Sequence, residues 1–258
     1  SAVRDIDKYD LSSLKFCVSG GAPLPAPVQQ KFIELTGCSL VEGYGLSETG
    51  PVCTANPIKG PNKAGSVGLP LPRTVVEIVS LDDPKRILPP GERGEICISG
   101  PQVMPGYANR AQDNVDVFLS GRLRTGDVGY LDEDGYLFIV DRLKDLILSG
   151  GFNVYPRMVE EAIEMHEAVA EVAVVGTPDN HRGETVKAFV HLHDGAKLSG
   201  SDLRVFLKDK LAPFEMPRQI EFRGPMPKTL IGKIAKLELI DTQTEPDPGA
   251  EPSAGVEN

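Results

Sequence analysis

The stretch LKFCVSGGAPLPAPVQQKFIELTGCSLVEGYG, residues 14–45, contains the pattern that decides the fold class. Its apolar start at 14–18 predicts a short buried strand, which runs directly into a Gly-rich loop at 19–25. A helix is predicted over roughly 25–36, and a second strand at 40–45 ends in another glycine-flanked loop. This strand–helix–strand order predicts an α/β fold, in which ligands bind at the carboxyl ends of the strands.

Between residues 64 and 140 the pattern changes to short β runs separated by Gly/Pro turns. Asp134 and Gly135 form a hairpin signal within this region. The predicted strands are the runs at 74–80, 94–100 and 135–141. A small barrel-like or sandwich-like β unit is therefore expected.

From about residue 143 the pattern becomes that of a compact α+β module. The predicted elements are a helix after Pro156, strands at 171–177 and 187–193, a helix capped by Ser201, and a last strand at 218–224. The tail at 241–258 has five acidic residues, no basic residue and three prolines, so we expect it to be disordered. The junction at 141–144 is the predicted domain boundary.

The overall composition narrows the classes of partner. The formal net charge of -10 should repel a phosphate backbone, so nucleic acid is not an expected partner. The four cysteines are widely spaced, which argues against a zinc site or a disulfide framework and suits the cytoplasm. No apolar run approaches the roughly 18 residues of a transmembrane helix, which leaves peripheral membrane contact open.

Several loop residues are candidates for nucleotide binding. The glycines of SGGAPL allow the backbone to approach a flat ligand, although a plain tight turn is the alternative. In GYGLSETG, Tyr44 is suited to stacking on a base and Glu48 to holding Mg²⁺, and the alternative is a solvent-facing loop. Asp127, between two glycines, can accept bonds from both ribose hydroxyls, unless it only forms an Asx-turn.

Three basic residues are candidates for binding anions. Arg142 and Lys144 lie beside the predicted boundary, where the alternative is a surface charge cluster. Lys233 follows a glycine in PKTLIGKI and is suited to projecting its charge toward phosphate or carboxylate, unless it is simply solvated.

Read together, the motifs resemble a known family. The order SGGAP, YGLSE, GERGE, TGD, DRLKD, SGGFNVYP and PKTLIGK is similar to that of the adenylate-forming superfamily of acyl-CoA ligases, luciferases and adenylation domains. The resemblance covers essentially all of residues 14–240. Three longer segments most resemble the bacterial medium- to long-chain fatty-acyl-CoA ligases. They are LVEGYGLSETGPV, LPPGERGEICISGPQVMPGY and SGGFNVYPRMVEEAI.

This resemblance implies a mixed α/β and α+β architecture. Residues 1–142 would form the end of a large domain, with an α/β segment at 1–60 and a β-barrel-like part at 61–142. Residues 143–240 would form a small, mobile α+β domain, with the active site between the two domains.

The resemblance also implies roles for individual residues. Lys233 would bridge the acyl carboxylate and the α-phosphate, Glu48 would bind Mg²⁺, Lys144 would be the hinge and Gly151 would let the pantetheine arm of CoA pass. Nucleotide-binding roles are implied for Gly21, Ala22, Pro23, Tyr44, Ser47, Asp127, Ile139 and Arg142.

The implied reaction joins a fatty acid or other carboxylate to CoA through an acyl-adenylate, with ATP, Mg²⁺ and CoA as cofactors. The family's Ser/Thr/Gly-rich phosphate loop is absent from this sequence, and we expect an engineered truncation, a proteolytic product or a split gene. The chain should then be inactive alone and require the missing N-terminal segment. The alternatives are an adenylation enzyme that loads a carrier protein and a non-catalytic nucleotide- or acyl-CoA-binding module.

Overall fold

The computed structural model describes residues 6–22, 24, 26–229 and 234–241. The chain separates into two compact units, Ser1–Lys144 and Asp145–Asn258, and this division falls two residues beyond the expected boundary at 142. In the part of the chain that the structure describes, no helix is long and apolar enough to cross a membrane.

Within its described residues, the first unit contains two α-helices and nine strands. In chain order these are β1 (Phe16–Ser19), α1 (Ala26–Thr36), β2 (Ser39–Tyr44), β3 (Thr54–Ala55), β4 (Leu69–Pro70), β5 (Val75–Val79), β6 (Gly94–Ser99), α2 (Ala111–Val117), β7 (Phe118–Leu119), β8 (Arg122–Leu131) and β9 (Leu137–Arg142). Short 3₁₀ turns lie at Ile6–Lys8, Ser47–Thr49 and Leu143–Asp145.

The predicted strand–helix–strand order at the start of the unit is confirmed, but the prediction that the first strand is buried is wrong. Phe16 is 47% exposed and Val18 is 60% exposed, because in the described residues β1 lies at the edge of its sheet and pairs only with β2. Strands β1 and β2 pair in parallel, with Ser19 opposite Glu42, and α1 connects them. Strands β3 and β4 extend this sheet in antiparallel pairing. Because β1 and β2 run in the same direction, the loops that follow them emerge at the same edge of the sheet.

The second sheet of this unit is antiparallel and is centred on β8. Its order is β5-β6-β8-β7, and β9 pairs with the later part of β8. The hairpin predicted at Asp134-Gly135 is confirmed as the β8–β9 connection. The core under the sheet includes Cys53, Ile78, Ile96 and Leu137, all at most 2% exposed.

Gly68 should be the least replaceable glycine next to this core. A Cβ atom at Gly68 would lie 1.9 Å from the backbone carbonyl carbon of Ala55, and Gly68 has a φ of 88°. We expect Gly68→Ala to lower the free energy of unfolding by about 2–3 kcal/mol, because overpacking adds to left-handed strain. Urea unfolding followed by circular dichroism measures this loss.

Gly91→Ala is the matched control for Gly68→Ala. Gly91 has a similar φ of 85°, but an added Cβ would meet no atom within 4 Å. Gly91→Ala should lower the free energy of unfolding by only about 1 kcal/mol, because it adds backbone strain alone. Equal losses for the two variants would contradict the packing argument.

In the residues that the structure describes, the second unit is an α+β module built on one sheet. Its elements are β10 (Ile147–Ser149), β11 (Phe152–Val154), α3 (Pro156–Glu164), β12 (Val169–Asp179), β13 (Gly183–Leu192), α4 (Gly200–Leu207), β14 (Gln219–Phe222) and α5 (Lys236–Asp241). The sheet order is β11-β10-β13-β12, and β14 pairs in parallel with β13. Apolar residues of α3, α4, β12 and β13 form its core.

The cap of α4 corrects one prediction. Ser199, rather than Ser201, precedes the helix with extended backbone, and its hydroxyl accepts a hydrogen bond from the Asp202 amide. An N-cap side chain bonds the amide two or three positions later, and Ser199 has that spacing to Asp202. The tail predicted to be disordered lies, from residue 242 onward, outside the described residues.

Candidate active site

A bulge in β8 sets the position of Asp127. Between two regularly paired stretches, residues 125–127 of β8 face the single residue Ile96 of β6. Gly126 has a φ of 70°, which a bulge of this kind requires. The Thr125 hydroxyl donates to the Ile96 carbonyl and accepts from the Asp127 amide, which fixes the distorted backbone. Asp127 therefore lies in a bulged strand and not in an Asx-turn.

Tyr44 and Arg142 both bond to the carboxylate of Asp127. The Tyr44 hydroxyl donates to Oδ2 at 2.6 Å, and Nε of Arg142 donates to Oδ1 at 2.8 Å. Arg142 lies directly opposite Asp127 across the β8–β9 pair. The side chain of Asp127 is 9% exposed and that of Arg142 is 50% exposed. The structure thus brings together Asp127, Tyr44, which lies 83 positions before it, and Arg142, which lies 15 positions after it.

The environment of Tyr44 keeps its phenol protonated. Burial, and next the negative charge of Asp127, raise the pKa of Tyr44 above its ordinary value of 10.0. A protonated Tyr44 remains a hydrogen-bond donor to the carboxylate. Because an ionised carboxylate has about four lone-pair sites, Asp127 can keep both protein bonds and still accept two bonds from a ligand.

Glu95 supports this arrangement, and sequence reasoning assigned it no role. It is 3% exposed. Its Oε2 accepts bonds from Nε and Nη2 of Arg124 at 2.9 and 2.7 Å, and its Oε1 accepts the Gly126 amide at 3.2 Å. The carboxylate therefore holds the bulge that positions Asp127. The motif GERGE, which ends at Glu95, was the available signal in the sequence. It does not show that Glu95 bonds to Gly126, 31 positions later.

Glu48 lies in the turn that follows β2, beside a cavity of about 260 Å³. Its Oε1 accepts a hydrogen bond of 2.6 Å from the Tyr107 hydroxyl, which raises the pKa of Tyr107. Residues around the cavity include Leu46, Glu48, Glu95, Tyr107, Arg124 and Thr125.

Glu48 has the carboxylate chemistry that magnesium binds in proteins. Among the residues that the structure describes, no group of three His, Cys, Asp or Glu side chains is placed to hold a metal ion. Magnesium is usually bound by one or two carboxylates together with substrate phosphates and waters. A half-buried carboxylate beside a cavity, as Glu48 provides, fits that requirement.

The other candidate nucleotide-binding residues of the first unit lie in the loop after β1, in the turn after β2 and in β9. Gly21 and Ala22 are exposed in the loop after β1, and a Cβ at the neighbouring Gly20 would lie 3.2 Å from the Gly43 carbonyl oxygen. Ser47 is exposed, next to Glu48. Ile139 and Tyr44 are partly buried against the same core cluster. Pro23 lies outside the described residues.

The remaining candidates fall at or beyond the end of the first unit. Lys144 is exposed in the 3₁₀ turn at Leu143–Asp145 and is the last residue of that unit. Gly150 and Gly151 form the two-residue turn of the β10–β11 hairpin, with φ of 60° and 84°. An added Cβ at Gly151 would meet nothing within 4 Å. Lys233 lies outside the described residues, so its position is not part of this geometry.

Comparison with known proteins gives two family matches. The family model of the AMP-binding enzyme matches residues 2–108, and the family model of the AMP-binding enzyme C-terminal domain matches residues 158–233. The long-chain-fatty-acid–CoA ligase of Bacillus subtilis strain 168 is 51% identical over 241 residues. That alignment covers 93% of this chain but 43% of the ligase, so the chain spans less than half the length of this relative.

Two solved structures of differently named enzymes have a fold similar to that of this chain. ATP-bound MatB from Rhodopseudomonas palustris superposes with a TM-score of 0.82 and 35% identity, over 89% of this chain and 46% of that chain. The amide bond synthetase McbA from Marinactinospora thermotolerans gives a TM-score of 0.83 and 36% identity, over 94% and 50%. Both similarities confirm a mixed α/β fold with several sheets.

Proposed function

The chain belongs to the AMP-binding enzyme family, and from this we propose that it supplies the adenosine-binding part and the small carboxyl-terminal unit of a fatty acid–CoA ligase. In the first half-reaction the fatty carboxylate attacks the α-phosphorus of ATP, and pyrophosphate leaves. In the second, the CoA thiol attacks the carbonyl of the acyl-adenylate, and AMP leaves. The 51% identity to a long-chain-fatty-acid–CoA ligase supports the choice of acid.

The observation that carries this proposal is the buried carboxylate of Asp127. The bulge of β8 fixes its backbone, and Tyr44 and Arg142 each bond one of its oxygens. A fixed, charged acceptor with lone pairs to spare suits the two hydroxyls of a ribose. Gly21, Ala22 and Tyr44 would then line the adenine side of the site, with Ile139 on its other face and Arg142 near the ribose.

Glu48 and Ser47 are proposed to act at the phosphates. Magnesium, bound through Glu48, would neutralise charge on the phosphates as the carboxylate approaches. Two anions must meet in this step, so positive charge and positioning should dominate the rate. Ser47, exposed in the same turn, would donate to a phosphate oxygen.

The small unit is proposed to serve both half-reactions in turn. Lys233 would bridge carboxylate and α-phosphate during adenylation. Rotation about Lys144 would then replace it with the Gly150-Gly151 turn, past which the pantetheine arm of CoA would reach the adenylate. The absence of a side chain at Gly151 supports this role, since its Cβ position is open.

The rest of the ligase, which corresponds to the unaligned length of the relatives, is proposed to work together with this part. The matched ligase is more than twice as long as the segment aligned with this chain, and the phosphate loop expected of the family would lie in that remainder. A cytoplasmic location belongs to the same proposal, because the free thiols of Cys17, Cys38, Cys53 and Cys97 suit a reducing compartment.

The test is to give the chain palmitate, MgATP and CoA, alone and mixed with the complementary part of the Bacillus subtilis ligase. We expect the chain to bind a non-hydrolysable palmitoyl-adenylate analogue, and we expect AMP and palmitoyl-CoA to form in equal amounts only in the mixture. Mass spectrometry quantifies both products. A folded chain that fails to bind the analogue would contradict the proposal, and AMP binding without turnover in either sample would favour a non-catalytic module.

A further inference from the structure

Tyr107 makes a contact that none of the roles above uses. Its hydroxyl donates to Oε1 of Glu48 at 2.6 Å. We propose that Tyr107, held in place by Asn114, is a positioning residue that orients the Glu48 carboxylate for a divalent cation. The inference rests on the proposed magnesium role of Glu48 and adds to it the residues that aim the ligand.

Asn114 fixes the backbone of Tyr107 from both sides. Its Oδ1 accepts the Tyr107 amide at 2.7 Å, and its Nδ2 donates to the Tyr107 carbonyl at 2.9 Å. Asn114 itself lies in α2, and its amide donates to the Arg110 carbonyl at 3.0 Å. Gly106 packs directly on it, since a Cβ at Gly106 would lie 2.9 Å from Oδ1 of Asn114. The backbone of Tyr107 is thus anchored to a residue of a helix.

The turn that carries Glu48 is fixed to the same loop. The Met104 amide donates to the Glu48 carbonyl at 2.9 Å, and a Cβ at Gly50 would lie 2.9 Å from the Gln102 carbonyl oxygen. Within the turn, the fully buried Thr49 bonds to the Leu46 amide and carbonyl through its hydroxyl. The donor and the acceptor of the Tyr107–Glu48 bond are therefore each held in place by their own backbone contacts.

This arrangement separates the two oxygens of Glu48. Oε1 is engaged by Tyr107, whereas Oε2 has no hydrogen-bond partner in the described part of the chain. Both residues line the same cavity. A partner that orients a metal-binding carboxylate commonly changes metal affinity by about 10- to 100-fold when it is removed. The Tyr107 hydroxyl is in the position of such a partner.

The experiment measures how much magnesium improves nucleotide binding to the 258-residue chain. Calorimetry gives the Kd of α,β-methylene-ATP with Mg²⁺ and with EDTA, and the ratio of the two is the magnesium gain. Tyr107→Phe should lower this gain about tenfold and leave the Kd in EDTA unchanged. Asn114→Ala should act in the same direction, and should add nothing in the Tyr107→Phe background, because it acts through Tyr107.

Tyr130→Phe is the matched control for the loss of a hydroxyl. Tyr130 lies in β8, where its ring stacks on Phe138, and its hydroxyl bonds to no described residue. The Tyr130→Phe variant should show the same magnesium gain as the unchanged chain, whereas Glu48→Gln should remove the magnesium gain. Circular dichroism melting shows that each variant is folded.

The outcomes distinguish this inference from the proposed function. If the unchanged chain shows no magnesium gain, the magnesium role of Glu48 fails, and the inference fails with it. If Glu48→Gln removes the gain but Tyr107→Phe keeps it, only the positioning role is overturned. An equal loss of affinity with Mg²⁺ and with EDTA would also overturn it, because Tyr107 would then act on the nucleotide or on the fold.

Discussion

Asp127→Asn is expected to weaken binding of an acyl-adenylate analogue by about 10²- to 10⁴-fold. Each charge-assisted bond from a ribose hydroxyl contributes about 1.5–3 kcal/mol, and the variant removes the charge behind both. Asparagine also removes the ion pair between Asp127 and the Arg142 guanidinium, whose atoms lie 2.8 Å apart. Calorimetry with a non-hydrolysable palmitoyl-adenylate analogue measures the change.

Asp134→Asn is the control for this substitution. Asp134 lies in the connection between β8 and β9, is 73% exposed, and pairs with Lys63 at 2.6 Å. Removing its charge makes the same chemical change at the far end of the hairpin, and the Kd should stay within about twofold, since exposed ion pairs contribute little. A similar Kd for Asp127→Asn and the unchanged chain would remove Asp127 from the ribose site.

Lys233→Ala, made in a complete ligase that carries this chain, is expected to slow adenylation by about 10²- to 10³-fold. One positive charge that bridges two approaching anions should have an effect similar to that of one donor in an oxyanion site. Thioester formation from supplied palmitoyl-AMP should be nearly unchanged, because the small unit is proposed to present Gly151 instead of Lys233 in that step. Separate assays of pyrophosphate release and of palmitoyl-CoA formation measure the two half-reactions.

Lys208→Ala gives the matching control in the same unit. Lys208 is exposed just after α4 and forms no ion pair with a described residue. Both half-reactions should proceed at the unchanged rate in this variant. Equal loss of both half-reactions in Lys233→Ala would contradict the assignment of Lys233 to adenylation alone.

Local sequence patterns predicted most of the regular elements. The apolar run before SGGAP gave β1, and the spacing after Pro156 gave α3. These elements depend on periodicity and on Gly and Pro positions, which are properties of neighbouring residues. The same reasoning misplaced the cap of α4 by two residues, because three consecutive residues, Ser199, Gly200 and Ser201, are all compatible with a helix start, and only backbone geometry separates them.

The sequence by itself also indicated which residues are candidates for nucleotide binding, since their motifs and their order are linear features. Only the tertiary structure decided how those residues act on one another. The bulge in β8 turns Asp127 toward Tyr44 and Arg142, Glu95 holds the bulge, and Tyr107 meets Glu48 across 59 positions of chain. Such contacts depend on strand register and on loop packing between distant segments, which local propensity does not encode.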